Sequence, residues 1–214
     1  FTAVVFWAIL KWEEQADEPY ADRWLVLICF LMGLSVGVHL LNLLTIPAIV
    51  FIYYYKKHSE PVSFLRAFGI LALSGVILAV ILFGIIPYLP KVAAGVDRLF
   101  VNSFGAKFDV GAAVFMLLLL AGCFLLMAWL RKKQKALLHT ATLCFTVIVI
   151  GYSLFTISII RASAGTPTNE YQPDNAFTLV RYLSREQYGK NPLIYGQYFG
   201  APYDELFTQD FYTL

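Results

Sequence analysis

The fold of this chain is decided by residues 24–55, which read WLVLICFLMGLSVGVHLLNLLTIPAIVFIYYY. The run contains no formally charged residue, but His39 and Asn42 lie near its middle. One membrane span needs about 20 apolar residues, so the run is too long for one span and short for two. Polar groups inside a membrane are candidates for a functional site, so we consider His39 and Asn42 as such.

The composition of the whole chain indicates a membrane protein. Charged residues make up 14% of the sequence, and the mean hydropathy is +0.69. Soluble domains carry about 25% charged residues. Together with several apolar runs of span length, these values predict an all-α polytopic membrane protein whose partners include membrane lipids. The sequence contains no nucleic-acid-binding motif, so we expect no nucleic-acid partner.

The apolar runs divide the chain into a transmembrane bundle, residues 1–161, and a polar segment, residues 162–214. We predict membrane segments over 1–12, 24–40, 43–55, 64–86, 110–130 and 137–160. Residues 88–109 show apolar positions at helical spacing, which predicts an interfacial helix. A further helix is expected at about 173–188. Because the first run resembles half of a span without an initiator Met, we interpret the chain as part of a longer protein.

Basic residues in short loops predict which way the bundle faces. Lys56, Lys57 and Arg66 form one basic patch, and residues 131–135 form another. The positive-inside rule places both patches in the cytoplasm, so residues 162–214 are expected on the outer, periplasmic side. Residues 24–55 are then either one bent span or a hairpin of two short helices with its apex outside. Length favours the hairpin, since one helix of that length would far exceed the roughly 30 Å of hydrocarbon.

The cysteine and histidine residues, which often bind metals, do not predict a metal site in this sequence. The cysteines lie inside apolar runs and the histidines are scattered without ligand spacing. These residues are Cys29, Cys123, Cys144, His39, His58 and His139. The cysteines fit small buried apolar residues.

Two motifs carry a resemblance to a known family. They are GLSVGVHLLN at residues 33–42 and YLSREQYG at residues 182–189. Both resemble large bacterial multi-spanning proteins that are grouped with the protein O-mannosyltransferase-like glycosyltransferases of the GT-C fold. The resemblance extends over most of the chain.

The resemblance implies a membrane enzyme of the bacterial inner membrane. It implies transfer of a sugar from a polyprenyl-phosphate donor to a hydroxyl acceptor, such as Ser or Thr of an exported protein, at the outer membrane face. Apart from this donor substrate, no cofactor is implied. Family members use an acidic residue of the first outer loop as general base. No position of this sequence matches it, so we expect the catalytic carboxylate upstream and assign no catalytic residue here.

Seven residues are candidates for binding the donor or another substrate. Glycosyl transfer requires cations or hydrogen-bond donors at the leaving phosphate. The candidates are His39, Asn42, Arg98, Arg161, Asn169, Glu170 and Arg185. His39 and Asn42 would share one face if their helix continued that far. Each candidate also has a structural interpretation: a polar group at a helix break, an interfacial arginine, an ordinary loop residue, or a contact that docks the tail helix.

A non-enzymatic role is the alternative from another class. A broken helix pair with polar groups at its turn also occurs in transporters. A transporter-like bundle or a subunit of an envelope complex therefore remains open from the residues alone. The sugar, the acceptor and the oligomeric state are not encoded in any recognisable motif.

Overall fold

The protein is represented by a computed structural model, which describes residues 1–58, 63–167, 169 and 171–184. This part of the chain is helical and contains no strand. Its elements are α1 Thr2–Gln15, α2 Asp22–Val36, a 3-10 segment Leu40–Thr45, α3 Ile46–Lys57, α4 Phe64–Ala79, a π-helical segment Val80–Ile85, α5 Ile86–Phe104, α6 Val110–Lys132, α7 Ala136–Tyr152, a 3-10 turn Ser153–Phe155, α8 Thr156–Ser163 and α9 Ala176–Leu183.

Within the described residues, three continuous helices are long and apolar enough to cross a membrane. They are Phe64–Phe104, Val110–Lys132 and Ala136–Ser163. The all-α, polytopic membrane class is therefore confirmed. The helices α1, α2 and α3 are shorter than a full span, and the six-segment count and the division at residue 161 stay predictions.

Residues 24–55 form a helical hairpin. At its start, Trp24 Nε1 donates a hydrogen bond to Gln15 Oε1 at 2.8 Å. At its end, the ring of Tyr53 stacks on Trp12 with 4.9 Å between centroids. Both ends of the run therefore lie beside the C-terminal part of α1. A single bent span would have carried them to opposite ends of the bundle.

Polar contacts join several segments at this end of the bundle, which lies opposite the hairpin apex. Lys56 Nζ lies 3.6 Å from Asp17 Oδ2. Thr140 Oγ1 donates to Asp22 Oδ2 at 3.4 Å, so α7 begins beside the beginning of α2. The basic residues 131–135 immediately precede α7. The patches that the sequence assigned to one side are thus near one another.

The best-buried core packs α1 against the hairpin and the middle of the long helix. Its residues share almost complete burial and come from widely separated elements: Val5, Ala8, Ile9, Trp12, Ile28, Met32, Val36, Leu43, Ile46, Ile81 and Tyr152. Because lipid tails are as apolar as these side chains, close van der Waals packing is the main force that holds the hairpin against α1.

Helix α2 crosses α7 at two glycines. A Cβ atom on Gly33 would collide with the backbone of Ile148. A Cβ on Gly151 would lie 2.7 Å from both Leu34 N and Phe30 O. The motif Gly33-x-x-x-Gly37, with Ser35 between, predicts a small-residue face that another helix can approach closely, and the structure confirms this at Gly33, where only the missing side chain permits the approach. Gly37, at the end of the motif, has no such close contact.

Helix α4, the π-helical segment and α5 form one continuous helix, whereas the sequence predicts a span ending near residue 86. Pro87 and Pro90 do not end it. The π segment comes directly before Pro87, where a wider turn accommodates the proline ring. Pro90 cannot donate to the Ile86 carbonyl, and Tyr152 Oη donates to that oxygen instead, at 2.9 Å. The predicted interfacial helix 88–109 is therefore not a separate element, because residues up to Phe104 continue the helix begun at Phe64.

Candidate functional site

A cavity of about 730 Å³ lies between the hairpin apex, the long helix and α9. It is lined mainly by apolar side chains, with one imidazole. The lining includes Gly37, Val38 and His39 of the apex, Pro87 and Pro90 of α5, Phe155, and Val180, Tyr182 and Leu183 of α9. The apex and the tail helix therefore lie at the same end of the bundle. We call this space the apex cavity.

His39 contributes an exposed side chain to the apex cavity. Its backbone is extended, and its Nδ1 accepts a hydrogen bond from the Leu41 N–H at 3.2 Å. That bond caps the 3-10 segment of the apex. A neutral imidazole that accepts at Nδ1 carries its proton on Nε2, which remains a hydrogen-bond donor. His39 therefore combines a local structural role with a donor suited to a sugar or phosphate oxygen.

Asn42 is buried in the apex rather than facing the cavity. Its side chain is 3% exposed, and Nδ2 donates to Ser35 Oγ at 3.1 Å. Its Oδ1 has no hydrogen-bond partner among the described residues. Helix α2 ends at Val36, so the condition under which His39 and Asn42 would share a helix face is not met. The two candidates are separated: His39 is a cavity residue, and Asn42 joins the apex to α2.

The cationic candidates lie outside the lining of the apex cavity. Arg98 is exposed on α5, and Arg161 is exposed in the last turn of α8. Among the described lining residues of the cavity there is no Lys or Arg. A phosphate group in this cavity would therefore depend on hydrogen-bond donors or on cations from outside that lining.

The candidates of the tail are only partly within the described chain. Asn169 Nδ2 donates to the Ala162 carbonyl at 3.0 Å, which caps the C-terminal end of α8. Glu170 and Arg185 lie outside the described residues. The tail helix begins at Ala176 because Asn175 accepts from the N–H groups of Phe177 and Thr178 as its N-cap. The predicted continuation to residue 188 also lies outside the described residues.

A second cavity of about 800 Å³ lies beneath the N-terminal part of α9. Apolar residues of α5, α6 and α8 dominate its lining, and the polar groups are few. The lining includes Leu89, Pro90, Ala93, Ala112, Met116, Leu120, Tyr152, Phe155, Ile159, Ser163, Ala176 and Leu179, together with Asp109. We call it the α6 cavity.

Two carboxylates organise this end of the bundle. The helical spacing of the apolar positions in residues 88–109 predicts Asp97 on the solvated face of that helix, but Asp97 is fully buried, so this prediction is wrong. Its Oδ1 accepts from Gly111 N at 2.8 Å and Ala112 N at 3.3 Å, and its Oδ2 accepts from Asp109 N at 3.0 Å. It thereby caps α6 from a neighbouring helix. A negative charge at a helix N-terminus is favourable.

Asp109 carries the connection onward to α9. Its Oδ1 accepts from Ala176 N at 2.8 Å. Desolvation raises the pKa of the Asp109 carboxyl above its ordinary value, and the nearby Asp97 and Asp174 carboxylates add to that rise. The hydrogen bond from Ala176 opposes it. An Asp directly before an apolar run is the one local signal for Asp109, but nothing in the sequence links Asp97 to residue 111.

Comparison with known proteins provides the functional context for the hairpin. Residues 1–62 match the family model of the protein O-mannosyl-transferase TMEM260 N-terminal domain. The matched region contains α1, the hairpin and the His39 apex. No curated protein and no solved structure matches the chain. The match supports a relationship of this part to the protein O-mannosyltransferase-like glycosyltransferases, in agreement with the resemblance seen in the sequence.

Proposed function

We propose that the chain forms part of a membrane glycosyltransferase with a GT-C fold. It would transfer a sugar from a polyprenyl-phosphate donor to a hydroxyl acceptor, such as Ser or Thr of an exported protein. The observation that carries the proposal is that residues 1–62, which match the O-mannosyltransferase domain, place His39 on the wall of the apex cavity.

His39 is assigned a donor-binding role in this proposal. The hydrogen bond from Leu41 to Nδ1 leaves Nε2–H available for an oxygen of the sugar or of the leaving phosphate. Asn42 supports His39 indirectly, because it ties the apex to Ser35 of α2. The cavity is largely apolar, which suits the first part of a prenyl chain or the non-polar face of a sugar.

The remaining candidates keep proposed roles around the cavity. Arg98, Arg161 and Arg185 would supply positive charge to the donor phosphate, and Asn169 and Glu170 would contact the sugar or acceptor. We assign the catalytic carboxylate to a part of the protein outside residues 1–214. Asp97 is unsuited to that role because both of its oxygens accept backbone hydrogen bonds in a fully buried site.

The proposed location is the bacterial inner membrane, with the apex cavity and residues 162–214 on the periplasmic side. The basic residues at the opposite end, including Lys56 and the cluster 131–135, favour a cytoplasmic position for that end. A lipid-linked donor with its sugar in the periplasm would then approach the apex from the outer leaflet.

Sugar transfer by histidine variants tests the proposal. The intact protein, including the part to which the catalytic carboxylate is assigned, is placed in lipid nanodiscs and given radiolabelled polyprenyl-phosphate mannose and a Ser/Thr acceptor peptide. His39→Ala and His39→Asn are each expected to lower kcat/KM at least about tenfold, the typical loss for a hydrogen bond to developing charge. Asn can still cap the 3-10 segment, so His39→Asn separates the missing donor from a damaged apex.

His58→Asn is the matched control. His58 also uses Nδ1 in a contact with its own backbone, to the Tyr54 carbonyl at 3.1 Å, but it follows α3 at the opposite end of the hairpin. Its substitution should leave transfer unchanged. If His39→Asn transfers sugar as fast as the wild type does, His39 does not bind the donor. Failure of the wild-type protein to transfer sugar would favour the non-enzymatic alternative, a transporter-like bundle or an envelope-complex subunit.

A further inference from the structure

The apex cavity and the α6 cavity share a wall. Helix α9 contributes Val180 and Leu183 to the first cavity and Ala176 and Leu179 to the second. Phe155 and Pro90 line both cavities. The four α9 residues share one face of the helix at helical spacing, so α9 covers the α6 cavity with its N-terminal part and the apex cavity with its C-terminal part.

The N-terminal end of α9 is held by groups from the membrane helices. Asp109 Oδ1 accepts from the Ala176 N–H at 2.8 Å, and the rings of Phe108 and Phe177 meet edge to face at 6.2 Å. Ser163 Oγ lies 3.3 Å from the Asp174 carbonyl. The Asp109 bond is the charged contact among these, and a hydrogen bond to a charged group is stronger than one between neutral groups.

Asp97 sets the position from which Asp109 reaches α9. Asp109 has a φ of 71°, a left-handed conformation that residues other than glycine seldom adopt. The bond from its N–H to Asp97 Oδ2 fixes that conformation. Gly111 allows the close approach, because a Cβ there would lie 2.5 Å from Asp97 Cα. The local strain is thus compensated by contacts that direct the Asp109 carboxylate toward Ala176.

We propose that α9 is a strap that closes over the two cavities, and that Asp97 and Asp109 form its latch. Breaking the bond at Ala176 frees the N-terminal end of the strap, exposes Leu179 and opens the α6 cavity that this end covers. In this arrangement Asp109 acts directly on α9, and Asp97 is a positioning residue that acts through Asp109. The inference is independent of the reaction that the cavities serve.

Cysteine labelling measures the opening of the strap. Leu179, 8% exposed, is replaced by Cys in the protein in nanodiscs, and the maleimide reaction rate at each cysteine is measured by peptide mass spectrometry. Asp109→Gly removes the carboxylate while keeping the left-handed backbone accessible. It is expected to raise the labelling rate at position 179 about tenfold, the effect of losing one charged hydrogen bond on a local opening equilibrium. Asp109→Asn keeps an oxygen acceptor but removes the charge, so its rate should lie between those of the parent and Asp109→Gly.

Ala176→Pro provides an independent route to the same state. It removes the N–H that Asp109 accepts from but leaves both latch carboxylates intact. Proline is favoured in the first turn of a helix, and the extended backbone of Asn175 suits a residue before proline. We expect the same rise of about tenfold at position 179, with no further rise when Ala176→Pro and Asp109→Gly are combined.

The native Cys123, 8% exposed in α6, reports whether the whole bundle loosens. Its labelling rate should stay at the wild-type value in all variants. The proposal is overturned if neither variant raises the rate at position 179, if their effects add, or if Cys123 reacts faster in parallel. Spin labels at Leu40 and Leu183, which both line the apex cavity, should show a broadened distance distribution in both variants. An unchanged distribution would equally contradict a strap.

Discussion

The α2–α7 crossing and the α5–α6–α9 junction hold helices together by different means. At the crossing, Gly33 and Gly151 bring two backbones into direct contact. At the junction, the Asp97 and Asp109 carboxylates accept hydrogen bonds from backbone N–H groups of α6 and α9. The crossing is therefore held by close packing of two backbones, and the junction by hydrogen bonds from backbone N–H groups at helix N-termini to carboxylates. A junction of the second kind can open and close at one bond, whereas a crossing of the first kind cannot.

A glycine also serves the junction, but for another purpose. Gly111 lies against the backbone of Asp97, and its N–H donates to Asp97 Oδ1 at 2.8 Å. Its missing side chain lets a donor reach a carboxylate, while the glycines of the crossing let apolar helix faces meet. The following substitutions separate these two uses.

Gly151→Ala is expected to have the largest effect. Its Cβ would lie 2.7 Å from Leu34 N and Phe30 O, and these backbone atoms cannot move aside without displacing α2. We expect a loss of about 3 kcal/mol in the free energy of unfolding, at the upper end of the range for overpacking. Thermal unfolding in detergent micelles, followed by circular dichroism, measures this.

Gly122→Ala is the matched control, because a Cβ at that position of α6 meets no heavy atom within 4 Å. It should be neutral or stabilise by up to about 1 kcal/mol, since alanine is the better helix former. Equal effects of the two substitutions would show that α2 and α7 are not in backbone contact.

Asp97→Asn is expected to have an intermediate effect. The amide keeps one oxygen acceptor but turns an NH₂ group toward an N–H donor, either that of Asp109 or that of Gly111. Leaving one buried donor without an acceptor should cost about 2 kcal/mol in the free energy of unfolding. The same unfolding measurement applies, and Asp17→Asn at the opposite end, where the side chain is 90% exposed, should change little. A neutral Asp97→Asn would mean that the charge on Asp97 does not hold α6.

The pH dependence contributed by Asp109 should be the smallest effect. Its folded-state pKa is raised above the ordinary 3.8, so the folded state binds the proton more tightly than the unfolded state. The associated stability is present below the unfolded pKa and is lost as pH rises through the folded pKa. The free energy of unfolding, measured from about pH 3.5 to pH 7, should therefore fall with pH more steeply in the wild type than in Asp109→Asn.

The opposite result would be a free energy of unfolding of the wild type that rises with pH relative to that of Asp109→Asn. That result would show that the hydrogen bond from Ala176 lowers the Asp109 pKa by more than desolvation raises it. In that case the latch would be a stronger contact than its burial implies. Asp174→Asn, which removes a neighbouring carboxylate that contributes to the raised pKa, should flatten the wild-type dependence in part.

Much of the hairpin could be predicted from sequence because its determinants are local. An uncharged run too long for one span, polar residues at its centre and a small residue at Gly33 are visible in one stretch. The length of the run decided between a hairpin and a bent span through simple helix geometry. His39 was found for the same reason, since a polar residue at the turn of an apolar hairpin is conspicuous.

The continuity of the long helix was missed because prolines usually end helices. What keeps residues 64–104 helical is a π-helical segment before Pro87 and a hydroxyl from Tyr152 that bonds the carbonyl left free by Pro90. Tyr152 lies far from Pro90 in the chain, and no periodicity indicates that it will reach Ile86. Proline normally ends a helix, but here contacts with another segment of the fold keep the helix intact.

The sequence by itself determined the membrane class, the hairpin and the close approach at Gly33, because hydropathy, span length and residue size act locally along the chain. Only the tertiary structure decided that Asp97 is buried rather than solvated, that His39 and Asn42 point to different surroundings, and that one face of α9 covers two cavities. The reason is physical: a buried carboxylate is tolerated only where donors from other segments meet it. Those donors, at Asp109, Gly111 and Ala112, are brought to Asp97 by the packing of α6 against α5.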